Sequence, residues 1–357
     1  VAPSDDPRLH RRGFLQAGAG AALLCTIGGE RFSLRTASDG ARADAAARRV
    51  TRPRTAPPDP VDSLTFETPR PQPGGVAREY WIQAQTVAWD IAPTGLDDWH
   101  GTVIPPPRSF RAVIYREMTP GFAAAAGPAT IPGPTLTAEV GDTIVVHFRN
   151  GARALNQALT MHPHGVRYTP DYDGVYLGDH TRAGGFIAPG HEFTYTWEAR
   201  PDSAGVWIYH DHGPNHALNS MRGLYGAIVI REKGERPPDI EFPIFFGSLP
   251  PPVTGLDRAF ETVNGRSAAG NTPTLRAKAG QDVAFYVFGA DDAFHDFHVH
   301  GHRWKDAGGA GIDTQTVGPA EGIVARWTED NPGRWLYHCH VMAHQDAGMA
   351  GWYLVEP

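Results

Sequence analysis

At 357 residues the chain is too long for one small domain and comfortable for two. Hydrophobic residues make up 41% and charged residues 20%, the balance of a folded soluble protein, and a net charge of −7 offers no basic surface to nucleic acid or an anionic membrane. Gly (41) and Pro (32) are abundant, as many short strands joined by turns require.

The first predicted element is a targeting segment. Arg11-Arg12-Gly13-Phe14-Leu15 precedes a weakly apolar run to about Gly29, a pattern that resembles a twin-arginine export signal. The run is too short and too rich in Gly and Ala for a membrane span. Ala43-Asp44-Ala45 is a candidate cleavage site, so residues 1–45 read as a signal region and the mature protein as extracellular or held in the cell envelope or periplasm. Residues 46–75 are rich in Pro, Arg and Thr without lasting periodicity and read as a linker or arm. Structure is expected from Glu79-Tyr80-Trp81-Ile82-Gln83-Ala84. Alternating segments then recur, at Thr143-Ile144-Val145-Val146-His147-Phe148 and at Phe193-Thr194-Tyr195-Thr196-Trp197. No stretch carries a long 3.6-residue period, so the class is all-β.

The chain repeats itself. Gly141-Asp142-Thr143-Ile144-Val145 followed by His162-Pro163-His164-Gly165 matches Gly280-Gln281-Asp282-Val283-Ala284 followed by His298-Val299-His300-Gly301. Trp207-Ile208-Tyr209-His210-Asp211-His212 matches Trp335-Leu336-Tyr337-His338-Cys339-His340, and Gly223-Leu224-Tyr225-Gly226 matches Gly348-Met349-Ala350-Gly351. Two copies of one β-sandwich are expected, residues 76–234 and 235–357, joined near Glu232 to Pro238.

Ten of the 17 histidines fall in four clusters. These are His162-x-His164; His210-x-His212; His295-x-x-His298-x-His300; and His338-Cys339-His340-x-x-x-His344, with Met349 five residues on. Residues i and i+2 of a strand share a face. Each His-x-His pair can therefore offer two imidazoles to one metal cluster, while Cys339, between two histidines, faces a different centre. Cys339, His295, His344 and a weak axial Met349 make the donor set of a blue-copper site. The eight histidines that remain suit a three-copper site and far exceed what one tetrahedral zinc needs. The other cysteine, Cys25, lies in the N-terminal apolar run, and neither placement suggests a disulfide.

These clusters, with Ile131-Pro132-Gly133-Pro134-Thr135-Leu136 before Gly141-Asp142-Thr143, resemble the multicopper oxidases over residues 76–357. The two-domain layout resembles the small two-domain laccases. The resemblance implies tandem cupredoxin-like Greek-key β-sandwiches and four coppers per chain. His162 and His298 would hold type 2 copper; His164, His210, His212, His300, His338 and His340 the type 3 pair; Cys339, His295 and His344 type 1, with Met349 axial. It implies that phenols or aromatic amines give electrons singly to type 1 copper. These cross the Cys339–His338 and Cys339–His340 links and reduce O₂ to water. Asp173, in Asp171-Tyr172-Asp173-Gly174, is a candidate proton donor, against the alternative of a turn aspartate. Tyr168 is a candidate redox phenol, against a structural one.

Within the repeat, Asp211 stands opposite Cys339, Leu159 opposite His295 and Leu224 opposite Met349; only His216 matches a ligand, His344. One type 1 site is therefore expected, in the second domain, with Asp211 and His216 hydrogen-bonded to each other. Trp207 and Trp335 read as core packing. His302 and Trp304 support the second domain or edge the type 1 pocket. His10, His100, His147, His180 and His191 have no ligand spacing. Half the trinuclear ligands come from each domain, and no middle domain bridges them, so a homotrimer is expected, closing as cyclic assemblies do. The two-domain laccases are built this way. A metallo-oxidase for Fe(II) or Cu(I) would need carboxylates or methionines beside type 1 copper, and only five Met are present. Copper nitrite reductases carry type 1 copper in the first domain and no type 3 pair. A copper-binding electron carrier has no need of eight further ligands.

Overall fold

The computed structural model describes residues 59–357, together with an antiparallel strand pair, Leu23–Ile27 with Glu30–Leu34. The twin arginine, the candidate cleavage site and residues 46–58 of the arm lie outside the described residues.

From Ala77 the chain builds strands. β1 (Ala77–Asp90), β2 (Ser109–Met118), β3 (Leu136–Glu139), β4 (Thr143–Asn150), β5 (His162–Pro163), β6 (Glu192–Glu198), β7 (Gly205–His210) and β8 (Tyr225–Arg231) form two sheets, in the orders β6-β4-β1-β2 and β3-β8-β7-β5. β9 (Ile240–Leu249), β10 (Phe260–Val263), β11 (Leu275–Lys278), β12 (Asp282–Gly289), β13 (His295–Val299), β14 (Thr314–Val317), β15 (Gly322–Thr328), β16 (Gly333–Cys339) and β17 (Ala350–Glu356) form two more, β10-β9-β12-β15 and β11-β17-β16-β13-β14. The helices are short: α1 (His216–Met221), α2 (Pro251–Thr254) and α3 (Met342–Asp346). The chain is all-β, as its periodicity requires.

Alternation explains the facing of each strand. β4 buries Ile144, Val146 and Phe148 completely and turns Val145, His147 and Arg149 outward. Those residues pack with Leu136, Tyr195, Trp197 and Tyr209 into the first sandwich core, and Phe285, Val287, Phe297 and Tyr353 build the second. β8 breaks the alternation, since Tyr225 to Ile230 are all buried. One face of β7 and β8 fills the first core, and the other, with Val206, Ile208, Ala227 and Val229, packs on Phe245, Ala284, Tyr286 and Phe288 of β9 and β12. A strand buried on both faces reads as an uninterrupted apolar run. Each of the larger ones, Val206, Ile208, Val229, Phe245 and Phe288, stabilises the contact by about 1.5–3 kcal/mol relative to exposure. The site-bearing sheet of the first sandwich is thereby fixed against the second. Residues 64–72 lie along the first sandwich, where Gln72 N donates to Gly141 O (2.9 Å) and Thr68 Oγ1 meets Tyr172 Oη (2.8 Å).

Candidate metal centres

Strand register gathers the histidines. In the first sandwich, antiparallel pairing sets His162 of β5 opposite His210 of β7. In the second it sets His298 of β13 opposite His338 of β16. His164 and His212, two residues on, return to the same face, as do His300 and His340. Within each group of four, contacting ring centroids lie 5.2–5.6 Å apart. Nε2 of His164 approaches Nε2 of His210 to 3.1 Å, and Nε2 of His300 approaches that of His338 to 3.2 Å.

The glycine after each His-x-His is required by the turn. Gly165 has φ +71°, and a Cβ there would sit 2.0 Å from the Trp207 ring. Gly301 has φ +75°, with Trp335 at 3.0 Å and the Asn331 amide at 2.9 Å. Both conformations favour glycine. Each indole is pinned by its own N–H, Trp207 to Ser203 O and Trp335 to Asn331 O, both at 2.8 Å. The two tryptophans brace the turns that aim the histidines.

Backbone carbonyls assign the tautomers. His162 Nδ1 lies 2.7 Å from Asp173 O, His210 Nδ1 2.9 Å from Asp211 O, His298 Nδ1 2.7 Å from Asp313 O and His338 Nδ1 2.9 Å from Cys339 O. A carbonyl only accepts, so each Nδ1 carries the proton and Nε2 keeps its lone pair. The bare Nε2 of His210 and that of His338 therefore lie 3.1 and 3.2 Å, respectively, from a second imidazole Nε2, a place for a shared cation or proton. His212 Nδ1 is buried without a hydrogen-bond partner, an orphan that a metal would satisfy. Burial, helped by neighbouring imidazoles, pulls His164 down to about 4; burial likewise takes His210 to about 3 and His338 to about 4. All three are neutral near pH 7, the form that binds metal.

On the opposite face of β16 stands a second centre. Cys339, fully buried, has its Sγ 3.8 Å from His295 Nδ1 and 3.7 Å from His344 Nδ1. The donor atoms of these three residues lie within 4.8 Å of one another. Met349, also fully buried, donates its N–H to His344 O (3.0 Å) and accepts from Cys339 N (3.1 Å). His295 Nε2 bonds Asp291 Oδ1 at 2.9 Å, which leaves Nδ1 free to face the thiol. Burial opposes charge on His295, but the bonds to Asp291 and Cys339 outweigh it and raise the group to about 9. A thiolate with two imidazoles, and histidine-only clusters beside it, match the ligand preferences of copper.

The two groups of four stay apart. Among the described residues, no ring of His162, His164, His210 or His212 contacts one of His298, His300, His338 or His340. In the first sandwich Leu159 and Leu224 are fully buried core residues, and among the described residues no thiol stands beside His216. The expected Asp211–His216 bond is replaced. Asp211, fully buried, accepts from Thr160 N (2.8 Å), Gly213 N (3.3 Å) and Asn219 Nδ2 (3.2 Å), while His216 stacks on His212 with centroids 4.3 Å apart. Backbone and amide donors reach the carboxylate first and satisfy it. Desolvation still raises Asp211 to about 6. Asp173 Oδ1 lies 3.1 Å from His162 Nδ1, and Tyr168 packs edge-on against His162 at 5.8 Å. Burial and the Asp173 charge raise the Tyr168 phenol. His302 lies beneath His300, bonded to its carbonyl (2.7 Å) and to buried Glu329 (2.9 Å).

Two neighbours escaped the sequence reading. Asp291 follows the four-residue spacing to His295 and was findable in the Asp291-Asp292 run. Trp99, whose ring centroid is 6.5 Å from that of His338, sits in an unpatterned excursion far from every cluster.

A family model described as multicopper oxidase matches residues 125–235, and another with the same description matches residues 248–357. A protein of Kuenenia stuttgartiensis, named a probable nitrite reductase-hydroxylamine oxidoreductase fusion protein, is 31% identical over 254 residues, covering 66% of this chain and 29% of its own length. A human protein named Ferroxidase HEPHL1 is 27% identical over 368 residues, covering 85% of this chain and 31% of its own. The chain thus spans about three-tenths of the length of these relatives. A crystal structure of a multicopper oxidase aligns with a TM-score of 0.62 at 24% identity, over 81% of this chain and 93% of that one, a likeness of fold.

Proposed function

The chain belongs to the multicopper oxidase family, and within it we propose a laccase-type activity: one-electron oxidation of phenols or aromatic amines coupled to four-electron reduction of O₂ to water. One observation carries the reading. Cys339 points to His295 and His344, while the residues bonded to it, His338 and His340, point to the histidine cluster.

His295, Cys339, His344 and Met349 would hold one copper, and the eight other cluster histidines three. Bound copper would supply single-electron transfer at the thiolate site and O₂ reduction at the histidine site. The chain's own residues do the rest. Asp291 fixes the His295 tautomer, and four backbone carbonyls fix those of His162, His210, His298 and His338. The peptide of Cys339 joins the thiolate to both flanking imidazoles without a through-space gap. Asp173, with Oδ1 3.1 Å from His162 Nδ1, is read as the proton donor to the oxygen site.

Each chain holds two half-sites. His300 and His340 are exposed, and the first four histidines do not meet the second four, which supports completion by another copy of this chain. We read residues 76–234 and 235–357 as the two domains and three chains as a closed ring. Sedimentation with activity on dilution tests this, and a fully active monomer would refute it. Among the described residues no helix is long and apolar enough to cross a membrane. The Arg11-Arg12 motif supports export of the folded protein to the cell envelope, periplasm or exterior.

A second reading, metal-ion oxidation, is favoured by the relative named a ferroxidase. O₂ uptake by copper-loaded protein with a phenol, with Fe(II) and with Cu(I) separates the two. The laccase reading expects the phenol to support turnover, and uptake with metal ions alone would overturn it.

A further inference from the structure

The half-site of the second domain has a neighbour that comes from the first. Between β1 and β2 the chain makes an excursion, residues 91–108, that is stapled to the second domain along its length. Ser267 N donates to Ile91 O (2.9 Å), Thr94 N to Asn271 Oδ1 (2.8 Å) and Asn271 Nδ2 to Leu96 O (2.8 Å). Asp98 N donates to Ala269 O (2.9 Å), and Trp352 Nε1 donates to Asp98 Oδ2 (2.9 Å).

These bonds deliver Trp99 to His338, with ring centroids 6.5 Å apart and planes 32° apart. His100 packs against the indole with centroids 4.2 Å apart and is itself held by Asp97, Nδ1 to Oδ2 at 2.7 Å. His338 is only 3% exposed, although His300 and His340 beside it are open. His210, the counterpart of His338 in the repeat, differs. Its ring contacts are with histidines alone, and it lines a cleft of about 210 Å³ shared with Met221, Asp291 and Ala320. His162 and His164 open on a larger cleft of about 680 Å³, bordered by Tyr168, Thr316 and Glu321. Within one chain, the second-domain half-site is thus covered at His338 by an indole, whereas the first-domain half-site borders the two clefts. The excursion is anchored by Thr94, Asp98, Asn271 and Trp352, so holding it in place does not need the Trp99 ring.

We propose that Trp99 is a sealing residue. Its indole closes the His338 side of the trinuclear site to water, small anions and partly reduced oxygen. The inference rests on the reading of His338 as a copper ligand.

The probe is azide, whose binding to oxidised, copper-loaded protein is followed by its charge-transfer absorption, with hydrogen peroxide released per O₂ measured alongside. Trp99→Ala should speed azide binding at least about tenfold and raise peroxide release. Trp99→Phe should restore both towards the parent values. Val103→Ala, at an exposed position of the same excursion, should leave them unchanged. Copper content and type 1 colour report integrity. Where Trp99→Ala loses copper, Trp99→Leu decides, with an intermediate rate expected. A copper-replete Ala or Leu variant with the parent azide rate overturns the seal alone. A fully loaded parent protein that holds no copper beyond the type 1 site removes the ligand reading of His338, and the seal with it.

Discussion

Replacing Gly165 by alanine perturbs the first half-site at its tightest point. The backbone there has φ +71°, and a side chain in left-handed conformation costs about 1–2 kcal/mol. The new Cβ would lie 2.0 Å from the Trp207 ring, inside its van der Waals surface, so the indole must move. Overpacking of this kind costs about 1–3 kcal/mol. Displacing the ring also strains the 2.8 Å bond from Trp207 Nε1 to Ser203 O, worth about 1 kcal/mol. Together these place Gly165→Ala about 3–6 kcal/mol below the parent. Gly301→Ala meets a similar backbone, φ +75°, but its Cβ would lie 2.9 Å from the Asn331 amide and 3.0 Å from the Trp335 ring, contacts that shifts of a few tenths of an ångström relieve. A loss of about 1–3 kcal/mol is expected there. Calorimetric unfolding of copper-free protein is the assay, because bound metal would add its own stabilisation. Gly165→Ala should also retain less copper, since His164 precedes the disturbed turn. Equal losses in the two variants, or a Gly165→Ala loss under about 1 kcal/mol, would refute the reasoning.

Cys339→Ser should abolish the blue absorption, which needs Cu–S bonding, while about three of four coppers remain on intact histidines; a variant that stays blue contradicts the ligand assignment. Glu329 gives an acid-stability prediction. Burial would raise its carboxyl, yet bonds from His302, Tyr353, Trp327 and the Asn331 amide prevail and hold it at about 2, against an ordinary 4.5. The folded state therefore binds this proton less readily than the unfolded one. The contribution, on the order of 3 kcal/mol, is complete above about pH 4.5 and lost as pH falls towards 2. Glu329→Gln should flatten the stability profile of copper-free protein across that window, and an unchanged acid limb would count against the pair. Asp173→Asn should slow O₂ uptake while the blue absorption still bleaches at the parent rate when a phenol is added anaerobically. Equal slowing of both would assign Asp173 to folding rather than proton supply.

Much of the fold was legible because strands alternate and histidines share faces at i, i+2. β4 and the four clusters follow from that period alone. The repeat made the absence of a thiol opposite Cys339 visible at Asp211. Other features depended on distant partners. β8 is apolar on both faces because the second sandwich packs against it, and no local pattern names that partner. Analogy with Cys339 and His344 pairs Asp211 with His216, yet its donors include Thr160, 51 residues away, and Asn219, eight away. Trp99 carries no motif, and only the stapled excursion brings it to His338.

Each copy of the protein is proposed to hold one thiolate site and one histidine site, the latter shared between chains. Anomalous diffraction at the copper edge, from crystals of copper-loaded protein, tests it most directly. One peak is expected among His295, Cys339 and His344. Three more are expected between His162, His164, His210 and His212 of one chain and His298, His300, His338 and His340 of the next. Isolated peaks at each half-site of a lone chain, or no peak at Cys339, would contradict it.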